Sequence, residues 1–228
     1  MPDPLESSIG VGVLHLFCTV GEGTDRAAVE AAVKGAQADE LQIVPVAVLG
    51  HKADIAFMAL GKDWWQLKSF QTALSVAGLT IIDSYVSMTE LSEYAQGLPE
   101  QMANARLYPV LPPEGMSAWC FYPMSKKRER KANWFTLPYD DRKELMMEHG
   151  ASGRKFAGRI VQLITGSAGV DDYEWGVTLF AQKPDDLKEV VYKMRFDEAS
   201  AKYAEFGPFI TGAVGTLVEV LDAAGVPD

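Results

Sequence analysis

Along the first hundred positions, short apolar runs rich in β-branched and aromatic residues alternate with longer segments that follow a polar capping residue. The short runs are typical of strands and the longer segments of helices. Thr24 or Asp25 caps the first helix, Gly78 closes the second, and Gly50-His51-Lys52 forms a hairpin turn. The predicted strands cover residues 11–20, 43–49, 53–60 and 79–88, and the predicted helices cover residues 25–38 and 64–77.

The second half repeats this order after a connection at residues 99–117 that is rich in proline and glycine. Pro138 stands in the first turn of one predicted helix, and Gly150 is the expected stop of that helix. The predicted strands cover residues 119–124, 160–165, 174–181 and 210 onward, and the predicted helices cover residues 138–148, 184–194 and a short C-terminal segment.

The repeated order predicts an α+β protein made of two ferredoxin-like βαββαβ halves, at residues 8–98 and 118–222. The two sheets are expected to pack together or to close a barrel, as in dimeric α+β barrels. The order of elements alone carries this prediction, because the two halves show no repeat of individual residues.

The composition narrows the class of function. The 228 residues include 21 basic and 31 acidic side chains, which give a formal net charge of −10. This balance argues against a general nucleic-acid binder, which carries a basic face. Cys18 and Cys120 lie in apolar runs without metal-ligand spacing. They do not indicate a disulfide framework, so a reducing compartment fits the sequence. The sequence shows neither a signal peptide nor an apolar run near the roughly 20 residues of a membrane span, so we expect a cytoplasmic protein.

The stretch CFYPMSKK (residues 120–127) places Tyr122 on a strand interrupted by Pro123, four residues before Lys126. One interpretation is a half-buried strand that runs into a solvated basic turn. The other is a redox site whose substrate carries carboxylates, with the phenol as the oxidisable group and the ammonium as an anion partner.

The three histidines lie in different surroundings. His15 alternates with leucines on a strand and His51 lies in a turn, so both are expected to be structural. His149 ends a predicted helix, where it either interacts with the helix dipole or binds iron through its imidazole. No second ligand stands at metal spacing, which disfavours a bare metal site, whereas a porphyrin supplies four ligands and needs only this one. The sequence contains no phosphate-loop, nucleophile-elbow or zinc-protease motif.

Six segments form an ordered series between about residue 104 and residue 212: ARLYP (105–109), FYPMSKKR (121–128), NW (133–134), EHG with GR and AG downstream (148–158), TGSAGVDDYEWGVTLF (165–180) and KMRFDEASAKYAEFGPF (193–209). Through these segments the chain resembles the chlorite dismutase-like haem proteins, and within them the coproheme decarboxylases of Gram-positive bacteria. The first half matches mainly in GHKADIAFMAL, at residues 50–60.

The resemblance implies that His149 is the proximal axial ligand of iron. It also implies that Tyr122 forms a transient radical after ferric coproheme reacts with hydrogen peroxide. That radical would remove hydrogen from the β-carbon of a propionate and leave a vinyl group and carbon dioxide, while Lys126 serves the second propionate. The implied contacts to coproheme are Arg106, Tyr122, Pro123, Met124, Ser125, Lys126, His149, Gln162, Arg195 and Ser200.

The implied activity is peroxide-dependent oxidative decarboxylation of Fe-coproporphyrin III (coproheme) to haem b through a three-propionate intermediate. Coproheme would be both substrate and cofactor. Arginine and lysine donors suit it, because four propionates need partners in a buried site. The resemblance also implies a homopentamer with the haem site in the C-terminal half of each subunit, and an encounter with coproporphyrin ferrochelatase.

Two other functions stay open: a chlorite dismutase or haem peroxidase, and a non-enzymatic haem carrier or sensor. Chlorite dismutases keep an arginine thirteen residues after the proximal histidine, where this chain has Gln162, a neutral amide that disfavours chlorite. A carrier needs neither Tyr122 nor Lys126. The chain departs from the decarboxylase pattern at Asn104, where many relatives have a second arginine, and at Phe135, where a tyrosine is common.

Overall fold

The structure is a computed structural model, and it describes residues 3–95 and 97–227. The helices are α1 (Arg26–Ala38), α2 (Trp64–Val76), α3 (Glu100–Leu107), α4 (Tyr139–Arg154), α5 (Pro184–Met194), α6 (Glu198–Ala201) and α7 (Leu217–Ala223). The strands are β1 (Gly12–Thr19), β2 (Gln42–Leu49), β3 (Ile55–Gly61), β4 (Thr80–Thr89), β5 (Ala118–Lys126), β6 (Arg128–Glu129), β7 (Ala132–Asn133), β8 (Ile160–Gly166), β9 (Trp175–Ala181), β10 (Ala204–Phe206) and β11 (Ile210–Val214). None of the helices in the two described ranges combines the length and the apolar character that crossing a membrane requires.

Nine strands form one antiparallel sheet, in the order β10-β5-β11-β2-β3-β1-β4-β8-β9. Because β5 also pairs with β9, the sheet closes into a barrel, and β10 lies outside the ring along β5. The ring contains the order β2-β3-β1-β4, followed by the equivalent order β8-β9-β5-β11. This arrangement confirms the predicted α+β fold of two ferredoxin-like halves.

Alternate side chains of the strands fill the barrel with bulky aromatic residues. Phe17, Trp119 and Phe121 are buried there in one apolar cluster. His15 joins them, with its ring centroid 4.2 Å from that of Phe121 and its Nε2 3.1 Å from the hydroxyl oxygen of Thr178. Burial lowers the pKa of His15 to about 3. His15 is therefore a neutral imidazole in the packing of the barrel.

Helices cover the outer faces of the two halves unequally. In the first half, α1, α2 and α7 lie on the sheet, and a large apolar cluster that includes Leu16, Val29 and Phe70 fills the space between. In the second half, α5 packs on the sheet through Leu187. α4 buries only Ser152 and packs on α5 and α6. Since α4 places no apolar face on the sheet, the outer face of the second half is less completely covered.

The structure corrects the sequence-based elements in several places. α4 continues past Gly150 to Arg154, so His149 lies inside the helix, and its interpretation as a C-terminal residue on the helix dipole is wrong. An interior glycine weakens a helix by about 1 kcal/mol relative to alanine, which is too little to end a helix that is hydrogen-bonded on both sides. α3 lies within the predicted proline-rich connection, because Pro99 is followed by residues that contain neither proline nor glycine. The pattern also misses α6, β10 and the β6–β7 hairpin, since such short elements give no periodicity.

Candidate functional site

Strand β5 presents Tyr122, Met124 and Lys126 on one side, because successive side chains of a strand alternate between its two faces. Tyr122 and Met124 belong to the apolar cluster beneath α5, so this side is the outer face of the barrel. One short segment therefore places a phenol, a thioether and an ammonium along the same face.

Pro123 does not interrupt β5, contrary to the interpretation of a proline-broken strand. It pairs with Gly176 of β9 on one side. On the other side its carbonyl accepts a hydrogen bond from the N–H of Gly207 at 2.9 Å. The N–H that proline lacks would face this same gap between β10 and β11, where the sheet ladder has no bond to lose. β5 consequently continues as far as Lys126.

The neighbouring strands extend the outer face beside Tyr122 into a surface that we call the floor. Strand register sets its members in two rows across β5, β9 and β8, which are Tyr122, Val177 and Ile164, and Cys120, Leu179 and Gln162. Tyr122, Val177, Cys120 and Leu179 are buried in the cluster beneath α5, whereas Ile164 on β8 keeps 45% of its surface exposed although it lies within a sheet. The exposed β8 side of this apolar floor suits contact with a flat aromatic ligand.

Tyr122 is held by rings rather than by a hydrogen bond. Its side chain is buried, with ring centroids 4.3 Å from Phe209 and 5.8 Å from Phe206. Among the described residues, none stands within hydrogen-bond distance of its hydroxyl. Burial raises the pKa of Tyr122 well above the ordinary value of tyrosine. The phenol is therefore neutral, and no described residue accepts its hydrogen.

Lys126 is a buried ammonium without a carboxylate in contact. Its side chain is 8% exposed, its Nζ donates to the carbonyl of Ala199 at 2.7 Å, and it lies 4.3 Å from the ring centroid of Trp134. Glu174 is near, but its carboxylate accepts from the backbone N–H of Lys126 and from the guanidinium of Arg128. Burial lowers the pKa of Lys126 to about 8, and the charge of Glu174 only partly opposes this shift. Burying a charge without an ionic partner is costly, so the site is poised for an anion.

His149 projects from α4 and bonds to the carboxylate of Asp197, with 3.2 Å between Nδ1 and Oδ2. The hydroxyl of Ser152 donates to the other oxygen of Asp197 at 2.8 Å. Because a carboxylate only accepts, the ring donates from Nδ1–H, and Nε2 keeps its lone pair. Burial lowers the pKa of His149, the charge of Lys126 lowers it further, and Asp197 opposes both. A neutral imidazole whose Nδ1 is fixed by a carboxylate is the usual form of a histidine that binds iron.

Two further predicted residues lie at the same site. Arg195 places its guanidinium carbon 4.6 Å from the ring centroid of Phe206, and its charge opposes the rise in the pKa of Tyr122. Ser200 is a half-buried residue of α6, the helix whose N-cap is Asp197. The structure therefore brings Arg195 to the phenol, and it places Ser200 three residues after the carboxylate that bonds to His149.

Three predicted contacts lie elsewhere. Ser125 and Pro123 point to the opposite side of β5, where Ser125 accepts a hydrogen bond from the N–H of Glu174 at 3.2 Å. Ser125 also lines a cavity of about 430 Å³ beside the end of β5, together with Lys126. Arg106 is exposed on α3, and the described residues give it no hydrogen bond or ion pair. The structure does not bring Arg106 to the other predicted residues.

Sequence reasoning missed the residues that hold the predicted ones in place. Asp197 and Ala199 hold His149 and Lys126, and the rings of Phe206 and Phe209 hold Tyr122. All four lie within the segment KMRFDEASAKYAEFGPF, which carries the resemblance. The resemblance within that segment was the one sign in the sequence that these residues matter. Their distance along the chain from Tyr122 and His149 gives no indication that they contact these side chains.

The amino-acid sequence is similar to those of known proteins. The family model described as chlorite dismutase matches residues 24–215, which is most of the chain. The chain belongs to the chlorite dismutase family. It is also 47% identical over 179 residues to a coproheme decarboxylase of Staphylococcus carnosus (strain TM300), a match that covers 73% of this chain and 70% of that protein. The predicted family and the predicted branch are both confirmed.

Solved structures of the family agree with the fold. A novel heme-binding protein from Thermus thermophilus superposes with a TM-score of 0.83 and 33% sequence identity, over 99% of each chain. A mutant chlorite dismutase from Candidatus Nitrospira defluvii superposes with a TM-score of 0.76 and 17% identity, over 96% of this chain and 97% of that one. The second likeness concerns the fold alone.

The residues present fit an iron porphyrin with acidic side chains. The Nε2 of His149 offers a lone pair from α4, and the floor offers an apolar surface that is exposed at Ile164. Lys126 offers a buried ammonium that lacks a carboxylate partner within the described chain. These three features together match the iron, the ring and the carboxylates of such a ligand.

Proposed function

We propose that the chain catalyses the peroxide-dependent oxidative decarboxylation of coproheme to haem b, through a three-propionate intermediate. The observation that carries this proposal is the common face of β5. It holds Tyr122, an oxidisable phenol with no hydrogen-bond partner among the described residues, and Lys126, a buried ammonium without a carboxylate partner. Identity to a coproheme decarboxylase over most of the chain supports the same reaction.

Binding of coproheme would use His149 and the cations around the floor. His149 would give its Nε2 lone pair to the iron, while Asp197 keeps the ring oriented through Nδ1. Lys126 would exchange the carbonyl of Ala199 for a propionate, which turns an unpaired buried charge into an ion pair. Arg195 and Ser200 would serve further carboxylates from the same side. Arg106 would contribute only after α3 approaches the site, because it is exposed in this structure.

Bound coproheme, together with peroxide, supplies the oxidising equivalents for the reaction. Tyr122 would lose its hydroxyl hydrogen and become a phenoxyl radical, and this radical would take a hydrogen from the β-carbon of the neighbouring propionate. Loss of a second electron breaks the bond to the carboxyl carbon and leaves a vinyl group and carbon dioxide. Each cleavage removes two electrons from a propionate, and hydrogen peroxide accepts them in forming two waters.

The environment of Tyr122 suits hydrogen transfer better than acid–base work. A pKa raised by burial keeps the phenol protonated at neutral pH, so the hydrogen is present to be lost. The stacked ring of Phe209 and the tilted ring of Phe206 exclude water from one side of the ring. Lys126, four residues further along the same face, would hold a carboxylate near the strand after the first cleavage.

Chlorite dismutation is the second candidate, because the family model carries that name. Gln162 lies on the floor, in the same row as Leu179 and Cys120. A neutral amide at this position gives no cation for a chlorite ion, whereas Tyr122 and Lys126 have no role in that reaction. A haem carrier would likewise have no use for these two residues.

Further properties belong to the same proposal. We propose that the chain assembles as a homopentamer, works in the cytoplasm and encounters coproporphyrin ferrochelatase. Light scattering on the purified protein tests the assembly, and co-purification with the ferrochelatase tests the encounter. A monomer at micromolar concentration, with or without coproheme, would contradict the first of these.

The experiment that tests the reaction is a peroxide titration of the coproheme complex with mass spectrometry of the porphyrin. The expected result is the loss of one carboxyl group and then of a second, with the three-propionate species appearing between. Coproheme that keeps all four propionates, while peroxide is consumed, would refute the decarboxylase and favour a peroxidase.

A further inference from the structure

The direction of the Tyr122 phenol depends on ring packing, because the described chain offers its hydroxyl no hydrogen bond. The ring of Phe209 lies almost parallel to it, with an interplanar angle of 23° and a centroid distance of 4.3 Å. Phe206 meets the same ring at 59° and 5.8 Å, and its centroid is 6.1 Å from that of Phe209. Two phenylalanines thus fix the ring that would carry the radical.

These phenylalanines belong to one segment, residues 206–209 (FGPF), which we call the FGPF clamp. The clamp is fastened to β5 directly beside Tyr122, because Gly207 donates its N–H to the carbonyl of Pro123 at 2.9 Å. A β-carbon at Gly207 would lie 2.7 Å from the Pro123 ring and 2.8 Å from the Tyr173 ring. Only glycine permits this close approach, and the approach sets both phenylalanine rings over the phenol.

The N-terminal half also holds the clamp. Lys52, in the turn between β2 and β3, donates from Nζ to the carbonyl of Phe209. This turn belongs to the GHKADIAFMAL segment, the part of the first half in which the resemblance is clearest and to which the proposed reaction assigns no task. Because Lys52 is exposed, its contribution to the position of Phe209 is smaller than that of the ring stack itself.

We propose that Phe209 is a positioning residue that aims the phenol of Tyr122, and that Lys52 of the N-terminal half fixes Phe209 for this purpose. The role in decarboxylation rests on the proposed function, whereas the aiming of the ring does not. Hydrogen transfer requires the phenol oxygen to face the propionate within a narrow geometry, and misplacement by about 1 Å costs roughly a hundredfold in rate. Phe209 thereby connects the half of the chain without a haem site to the reaction.

The first test uses the protein without coproheme and with 3-fluorotyrosine placed at position 122. A fluorine on this ring senses the ring current of Phe209 and the exchange between ring orientations. Phe209→Leu keeps an apolar side chain but removes the stacked ring, so the fluorine resonance should shift and broaden. Phe209→Tyr keeps a ring in place and should restore a signal close to that of the wild type.

Matched controls separate positioning from general loss of stability. Phe70→Leu alters a buried ring in the apolar cluster of the first half and should lower the melting temperature without moving the fluorine resonance. Lys52→Met keeps the length of the side chain and removes its charge, and it should produce a smaller shift in the same direction as Phe209→Leu. Lys34→Met removes an exposed lysine of α1 and should change nothing.

The second test measures decarboxylation of bound coproheme. Phe209→Leu should lower kcat for the first cleavage tenfold to a hundredfold, because a phenol misplaced by up to about 1 Å reacts that much more slowly. The affinity for coproheme should stay within about twofold. Lys52→Met should lower kcat a few-fold, with Lys52→Arg restoring it. A fluorine resonance and a kcat that are both unchanged in Phe209→Leu would overturn the inference. If the wild type leaves coproheme intact, the proposed function fails instead. The fluorine comparison still tests the positioning of the ring in that case, because it uses no coproheme.

Discussion

Lys126 and His149 are attached to the same short helix, α6, at points two residues apart. Lys126 donates to the carbonyl of Ala199 at 2.7 Å, and His149 bonds to Asp197, the N-cap of α6, at 3.2 Å. The charge of Lys126 lowers the pKa of the imidazole. The group that would bind a propionate and the group that would bind iron are thus joined mechanically and electrostatically before any ligand arrives.

Replacing Lys126 by methionine should separate stability from function. The ligand-free variant should be at least as stable as the wild type at pH 7, because the folded protein no longer buries a charge without an ionic partner. Decarboxylation should stall at the three-propionate species. Urea unfolding and the peroxide titration give the two results. Lys127→Met, a neighbouring and less buried lysine, should leave both unchanged.

The same lysine predicts a pH dependence of stability. Burial lowers its pKa from 10.5 to about 8 in the folded protein, so between these values the unfolded chain binds more protons than the folded one. Stability should therefore rise with pH over this window in the wild type relative to Lys126→Met. Parallel urea titrations of both proteins at pH 7.5, 8.5 and 9.5 measure the difference. A constant gap between the two curves would show that Lys126 is not the group that titrates.

Replacing His149 by alanine should remove the only protein bond to iron that the proposal contains. The Soret band of bound coproheme should shift and the affinity should fall at least tenfold, while cations around the floor keep some binding. His51→Ala, in the exposed turn between β2 and β3, is the matched control and should bind coproheme as the wild type does. An unchanged spectrum in His149→Ala would remove this residue as the ligand.

Replacing Tyr122 by phenylalanine should abolish both cleavages without weakening binding. The change deletes a hydroxyl that has no hydrogen-bond partner among the described residues, so unfolding free energy should move by less than about 1 kcal/mol. Mass spectra along a peroxide titration should show only the four-propionate porphyrin. Tyr192→Phe, at an exposed tyrosine of α5, should retain activity. Haem b formed by Tyr122→Phe at near wild-type rate would contradict the radical assignment.

Chlorite offers a test of the reaction class. The wild type loaded with haem b should release no sustained oxygen from chlorite, because Gln162 supplies no cation on the floor. An oxygen electrode measures this directly, with a chlorite dismutase as the positive reference. Rapid release over many turnovers would transfer the assignment to chlorite dismutation.

Periodicity predicted the parts of the fold that depend on local sequence. The bounds of α5 coincide with the predicted helix at residues 184–194, and the β8–β9 hairpin lies where TGSAGVDD indicated a turn. The end of α4 was wrong, because a glycine inside a helix resembles a glycine that stops one, and only the surrounding hydrogen bonds distinguish them. Closure of the barrel by β5 and β9 rests on pairings that no local pattern contains.

The sequence likewise predicted one part of the candidate site and missed another. The residues proposed to carry the chemistry, Tyr122, Lys126 and His149, were named from the sequence, which placed the first two on one short segment, and the structure puts these two on one face of β5. The residues that hold them were not found, since Asp197 and Phe209 reach them only through the folded chain. Burial of Lys126 was also beyond the sequence, because a run of lysines and arginines indicates solvent. The assignment of roles to the ten predicted residues stays a prediction.

Closure of the sheet also determines what happens when the chain is cut. β2 pairs with β11 and β4 pairs with β8. In each half, the two outer strands of the four-stranded sheet are therefore covered by strands of the other half. A C-terminal fragment that keeps Tyr122, Lys126 and His149 would expose β8 and β11 as open edges with unpaired backbone groups, which recruit other chains. Such a fragment would self-associate before it could hold a porphyrin. The N-terminal half therefore protects the C-terminal half from self-association, because β2 and β4 cover its two edge strands.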